Sequence, residues 1–323
     1  MAQIPNPSKG EDAMAPQQEL DRQHETPGTG APPAGRRYEV GGRRLMLHRS
    51  GTGGPAVVIL PGASAVGLDY LNIHDRISEF TTSVLYDRGG TGWSDPVDLP
   101  RSAADVAAEL HDLLRAAGVP GPYLLAAHSL GGAYARRFAQ LFPGDVAGFL
   151  YLDAFYEETD TFLPERLHLA SVRQPDPGRL GQALMRPFAR RMYRQMFAGW
   201  PDGLRQTLVA RHVSAAWWQV GVQERSTMAQ LAGELHRGGP VPDRPSIVLT
   251  ATGIDPGLRL LMSPASVRAM TAGNRRLYAA LTASATHGEL RALGNARHST
   301  LTIDQADAVV QAARDLFTRA ANR

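Results

Sequence analysis

Short apolar runs, each closed by turn residues, punctuate the chain from residue 38 onward. AVVIL (56–60) runs into Pro61-Gly62, SVLY (83–86) into Asp87 and YLLAA (123–127) into His128-Ser129. GFLYL (148–152) ends at Asp153, and SIVLT (246–250) leads toward Gly253. Unbroken apolar runs of this length, without alternation, predict strands buried on both faces, as in a parallel sheet covered by helices. Ahead of them, Tyr38–Val40 and Arg43–His48 flank Gly41-Gly42 and read as a hairpin. A last strand is expected at about 287–293. Helical periodicity fills the gaps. Ser102–Leu114 places Val106, Leu110, Leu113 and Leu114 on one side, with Ser102 and Asp105 able to cap its start. Gly131–Phe142 and Asp304–Phe317 show similar apolar spacing. Strand alternating with helix implies an α/β fold, with a mostly parallel central sheet and helices on both faces.

Two stretches break the rhythm. Residues 1–37 are polar and rich in Pro, Gly, Gln and Glu, a composition that cannot offset chain entropy by burial, so a disordered tail is expected there. Residues 154–244 hold helix formers, Arg, Met and aromatics but no buried-strand run. They read as a helical cap inserted into a core formed by 38–153 and 245–323. The cap's Met185, Phe188, Met192, Tyr193, Met196, Phe197, Trp200, Trp217 and Trp218 could wall an adaptable apolar pocket. Spacing and burial preference favour the cap's own interior for them. Arg186, Arg190, Arg191 and Arg194 read as a solvated helix face that could also meet an acidic group. Glu157, Glu158 and Asp160 likewise read as solvated.

Composition narrows the function. The 323 residues are 43% hydrophobic, enough for a sizeable core. Net charge is +3, Lys9 is the single lysine, and no basic run carries interleaved aromatics, so no nucleic-acid partner is expected. Without cysteine, disulfides, a thiolate nucleophile and thiolate metal sites are excluded. No apolar run is long enough to span a bilayer and the N-terminal stretch lacks a signal-peptide core. The expectation is therefore a cytoplasmic protein with no membrane partner, no metal and no cofactor, acting on a small, apolar molecule.

The chemistry concentrates in AHSLG, residues 127–131. A sharp strand-to-helix turn there would lift the Ser129 hydroxyl above the sheet edge, and Ala127 and Gly131 supply the small flanks such a turn needs. The helix that follows aims its first amides at the reacting centre, so the Leu130 N–H can donate to an oxyanion. With LPGASAVG (60–67), YDRGGTGWSD (86–95) and RHSTLTIDQADAVV (297–310) in that order, the chain resembles the α/β-hydrolase family over about residues 38–323. The resemblance implies that LPGASAVG supplies a second oxyanion donor, the Ala63 N–H. It also implies a structural role for the YDRGG turn, with Asp87 and Arg88 paired, and places the catalytic histidine at His298.

A serine hydroxyl needs a base within hydrogen-bond reach. His298 lies between the last strand and the last helix, on the same sheet edge as Ser129, in keeping with the order that places histidine last. His128 adjoins Ser129 but would point elsewhere, and would pack near the site or tune it. Two residues compete for the acid that orients the imidazole. Asp255, in TATGIDP, holds the family's usual position after the cap, one residue further along than usual. Asp153 ends the strand before the cap, where some relatives place it. Chain order favours Asp255. These residues together imply a serine hydrolase for an ester, thioester or lactone with an apolar acyl part. A lyase using the same triad and a non-catalytic ligand-binding protein are the alternatives.

Overall fold

The computed structural model describes residues 30–171 and 178–322. The expected tail falls outside the described residues up to position 29. Its expected end at 37 is corrected, because strand β1 (Arg36–Val40) begins within it and pairs antiparallel with β2 (Arg43–Ser50), Arg36 facing Leu47. Six further strands complete one sheet: β3 (Val57–Leu60), β4 (Ser83–Tyr86), β5 (Tyr123–His128), β6 (Val146–Leu152), β7 (Ser246–Ala251) and β8 (Gly288–Leu293). Their order is β1-β2-β4-β3-β5-β6-β7-β8. The hairpin docks antiparallel on β4, and every other pairing is parallel.

The unbroken apolar runs have a simple cause. Successive side chains of a strand enter opposite layers, and here both layers are core. In β5, Tyr123, Leu125 and Ala127 join the cluster that holds Leu110 and Phe138, while Leu124 and Ala126 join the one that holds Ile73 and Val309. Helices α1 (Leu71–Ile77), α2 (Ala103–Ala116) and α3 (Gly131–Leu141) follow β3, β4 and β5. The Ser102 side chain accepts from the Asp105 N–H at 3.0 Å, as the capping pattern requires.

Between β6 and β7 lie α4 (Gly178–Met196), α5 (Asp202–His212), α6 (Ala215–Arg225) and α7 (Met228–Arg237). Polar ties bind this segment to the sheet domain, among them the following. Trp200 donates to the Leu68 carbonyl at 2.9 Å. Glu224 meets Arg88 in a fully buried pair, 2.6 Å between Oε1 and Nη2. The Glu234 carboxylate accepts from the Ala103 and Ala104 N–H groups at 2.8 and 2.7 Å, so a residue of α7 caps the start of α2. The chain closes with α8 (Pro264–Ala283) and α9 (Ala306–Ala321), the latter preceded by a short helical turn at Leu301–Asp304. The single expected helix from Asp304 is thus interrupted at Gln305.

Glu157 departs from expectation. It is buried, not solvated, and grips Arg136 of α3 with two hydrogen bonds of 2.6 and 2.5 Å, while that guanidinium lies 4.8 Å from the Tyr156 ring centroid. The residues around it, Glu158 and Asp160, do remain partly in solvent. Removing one partner of a buried pair strands the other charge, so Glu157→Ala is expected to lower unfolding free energy by about 3–5 kcal/mol. Urea denaturation followed by circular dichroism measures it, and Glu158→Ala serves as the near-neutral comparison.

Candidate active site

Ser129 follows β5 directly and adopts φ +51°, a left-handed conformation that is strained for a non-glycine residue. The neighbours permit it. A Cβ on Gly131 would lie 2.3 Å from the Leu60 carbonyl oxygen, and one on Gly132 would lie 2.5 Å from that of Phe155. The Ser129 carbonyl accepts from the N–H groups of Gly132 and Phe155, at 2.9 and 2.8 Å, which ties the turn to both α3 and the end of β6.

The hydroxyl meets a histidine across the sheet edge. His298 Nε2 lies 2.9 Å from Ser129 Oγ, and His298 Nδ1 lies 2.6 Å from Asp153 Oδ2. A carboxylate accepts only, so Nδ1 carries the proton and Nε2 accepts from the serine hydroxyl. Asp153 is itself at φ +47° and receives the Ala251 N–H at 3.1 Å and the Thr250 hydroxyl at 3.3 Å. The phenol of Tyr278, from α8, also bonds to it.

The preference for Asp255 is corrected by this geometry. Strand β6 lies beside β5, with Leu152 paired to His128, so the residue after Leu152 emerges next to Ser129. Strand β7 is one place further out, and Asp255 lies beyond it on a half-exposed loop, where its carboxylate accepts from the Ser299 N–H and hydroxyl. Removal from water opposes charge on His298, but Asp153, with a smaller contribution from Asp255, outweighs it and holds the imidazole above its ordinary pKa. Burial opposes ionisation of Asp153 in turn, and the His298 hydrogen bond and charge keep its carboxyl below the usual value.

His128, expected to pack near the site or tune it, stands at the centre of a chain of hydrogen bonds. The Gly62 N–H donates to the Tyr70 hydroxyl at 3.1 Å, and that hydroxyl lies 2.7 Å from His128 Nδ1. His128 Nε2 is 3.1 Å from the backbone carbonyl of His298. A carbonyl can only accept, which places the proton on Nε2 and makes Nδ1 the acceptor from Tyr70. Burial, reinforced by the nearby His298, pulls His128 down to about 4, so the ring stays neutral and the chain keeps its direction. Tyr70, in GLDY, carries no motif that marks it.

Asp87 and Arg88 do not pair as expected. Asp87 accepts from the N–H groups of Gly67 and Trp93, both at 2.8 Å, and burial pushes it up to about 6 against those bonds. Arg88 turns the other way. It donates to the carbonyls of Pro61 and Gly62 at 2.8 and 3.0 Å and to Glu224, whose second oxygen accepts the Ser64 N–H at 2.8 Å. The loop 61–64 is thereby held by its carbonyls from behind, while the Ala63 and Leu130 amides donate to no group among the described residues.

Ser129, His298 and Ala63 open onto a cavity of about 340 Å³. Met192, Tyr193, Met196, Phe197, Trp217 and Trp218 supply its cap-side wall, so several members of the aromatic and methionine stripe face the cavity as well as the cap interior. Phe197, Trp200 and Trp217 are buried, whereas Met185 and Phe188 are exposed. Polar groups, His212 and Arg225, interrupt the wall. His212 lies 2.9 Å from Asp69, receives the Trp217 indole N–H at 3.1 Å and stacks on Tyr193. No group of three or more His, Cys, Asp or Glu side chains among the described residues is arranged to hold a metal ion.

A family model of the alpha/beta hydrolase family matches residues 57–312. The uncharacterized protein YqjL of Bacillus subtilis is 32% identical over 129 residues, 39% of this chain and 51% of that protein. The matched stretch thus spans about half or less of the first curated relatives' length. Among solved structures, Cfl2 from Burkholderia cenocepacia superposes with TM-score 0.66 at 19% identity, covering 87% of this chain and 95% of that one. The meta-cleavage product hydrolase CumD from Pseudomonas fluorescens IP01 gives 0.60 at 15% identity, covering 89% and 98%.

The two neighbouring histidines titrate in opposite directions. NMR titration of the imidazoles is expected to place His298 above the ordinary histidine value of about 6.5 and His128 near about 4. Asp153→Asn should bring His298 down. The sign for stability follows from linkage. His128 lends stability that is complete above its unfolded value and is lost as pH falls toward about 4, while His298 lends stability present at low pH and lost as pH rises through its raised value.

Proposed function

The chain belongs to the alpha/beta hydrolase family, and from that premise we propose that it is a serine hydrolase cleaving an ester, thioester or lactone with an apolar acyl part. The observation that carries this reading is the unbroken Ser129–His298–Asp153 hydrogen-bond chain, 2.9 and 2.6 Å, at the floor of the apolar cavity. Ser129 Oγ attacks the substrate carbonyl carbon as His298 Nε2 takes its proton. Asp153 stabilises the imidazolium so formed. The Ala63 and Leu130 amides receive the oxyanion, which collapses to an acyl-enzyme as His298 returns the proton to the leaving group. Water, activated by the same imidazole, releases the acid. Gly62 permits close approach on this side, since a Cβ there would lie 3.1 Å from Ser129 Cβ.

Methionine and tryptophan on the cap wall support an apolar acyl group, because their side chains gain by excluding water from it and adapt to its shape. Asp255, bonded to Ser299, acts in this reading by holding the turn that carries His298.

Labelling with a fluorophosphonate probe and mass mapping tests the mechanism. The adduct is expected on Ser129 and absent in Ser129→Ala. With chromogenic acyl esters of graded length, Asp153→Asn is expected to lower kcat by ~10³–10⁴-fold, since it removes the acceptor that fixes the His298 tautomer. Asp255→Asn should cost less than about tenfold, the change in imidazole charge stabilisation alone. A folded wild-type protein that takes no label would sink the acyl-enzyme and bring the proton-abstracting lyase forward.

A further inference from the structure

Five of the seven large apolar side chains exposed among the described residues sit on one helix. Leu180, Leu184, Phe188 and Met192 recur every fourth residue along α4, with Met185 beside them, and the first three are 76%, 75% and 71% exposed. At 1.5 Å per residue they form a ridge about 18 Å long on the outside of the molecule. Arg191 stands beside the ridge and Arg194 on its flank, about 100° round the helix from the ridge centre, while Arg186 and Arg190 lie toward the opposite side; all four are exposed. The helix from Gly178 to Met196 contains no acidic residue, and none of these four arginines has an ion-pair partner among the described residues. Its inner side is otherwise employed: Tyr193 and Met196 wall the cavity, and Tyr193 stacks on His212 of α5 with centroids 4.5 Å apart.

We propose that α4 docks flat on an anionic phospholipid bilayer, with the Leu180–Met192 ridge in the acyl boundary and its arginines on the lipid phosphates. Leucine and phenylalanine left this far in water are costly, and a bilayer surface is a partner that meets the ridge together with Arg191 and Arg194. Arginine stems lie along apolar surface while their guanidinium groups reach phosphate, which suits Arg191 and Arg194 at the edge of the ridge. The expectation of no membrane partner rested on spanning segments. No helix among the described residues is long and apolar enough to cross a membrane, but a helix lying in the interface needs neither property. Met192 belongs to both the ridge and the cavity wall, so docking sets the cavity beside the headgroup layer.

The test is co-sedimentation of the full chain with vesicles of phosphatidylcholine alone or with one-third phosphatidylglycerol. Binding is expected to the anionic vesicles, to weaken with added salt, and to be weak on phosphatidylcholine. Arg191→Gln/Arg194→Gln is expected to reduce partitioning ~30-fold, and Leu184→Ser/Phe188→Ser to abolish it. These positions are exposed, and circular dichroism checks that both variants fold. The chain contains no cysteine, so Leu184→Cys can carry a single polarity-sensitive fluorophore. Its emission should be aqueous without lipid and shift to that of an apolar medium with anionic vesicles. Absence of anionic-vesicle binding, or binding unchanged in the ridge variant, overturns the proposal. So does apolar emission before lipid is added, which would mean that another part of the chain or a second copy already covers the ridge.

Discussion

A guanidinium that cannot reach water organises this molecule. Arg88 is 2% exposed, and every direction in which it donates is structural. Two donors hold the carbonyls of the loop 61–64, and two converge on one oxygen of Glu224 from the cap. Burial opposes its charge, and the Glu224 carboxylate restores it. A charge buried in this way is tolerated only if all its partners stay in place. Loop and cap are therefore fixed relative to one another by the same side chain. Because Glu224 also accepts the Ser64 N–H, the backbone of that loop is held from two sides.

A second framework crosses the first. The path from the Gly62 N–H through Tyr70 and His128 to the His298 carbonyl joins the loop 61–64 to the segment that carries His298. Each element in it has one possible direction of donation, provided that His128 stays neutral and Tyr70 stays protonated. Burial enforces both conditions, lowering the histidine and raising the phenol. The backbone carrying His298 is thus positioned independently of the Asp153 bond that orients its ring.

The layered fold was legible because both faces of the sheet are core, which turns each strand into an uninterrupted apolar run that no surface strand would show. Ser129 and His298 were legible because a tight turn and a terminal loop leave sequence traces. Asp153 over Asp255 was not, because the choice depends on which strand lies beside β5, and chain order does not reveal sheet order. Arg88 and Glu224, 136 residues apart, could not be matched without the fold, and the local reading of Asp87 with Arg88 failed because backbone amides satisfied the carboxylate first. Glu157 looked solvated for the same reason: its partner lies on a different element. The apolar members of α4 could not be told from cap interior, since periodicity reveals a face but not whether anything covers it.

The bond between Glu234 and the first amides of α2 bears on how such insertions evolve. An insertion that merely sat over the cavity could be exchanged for another as a module, leaving the sheet domain to fold unchanged. Here the sheet domain borrows from the insertion the carboxylate that ends one of its own helices and the counter-charge of its buried arginine. Any replacement segment, natural or grafted, would have to return a carboxylate to each of these two places before it could offer a new specificity. The modularity of this architecture is therefore conditional, and the helices between β6 and β7 and the sheet domain are built as one unit.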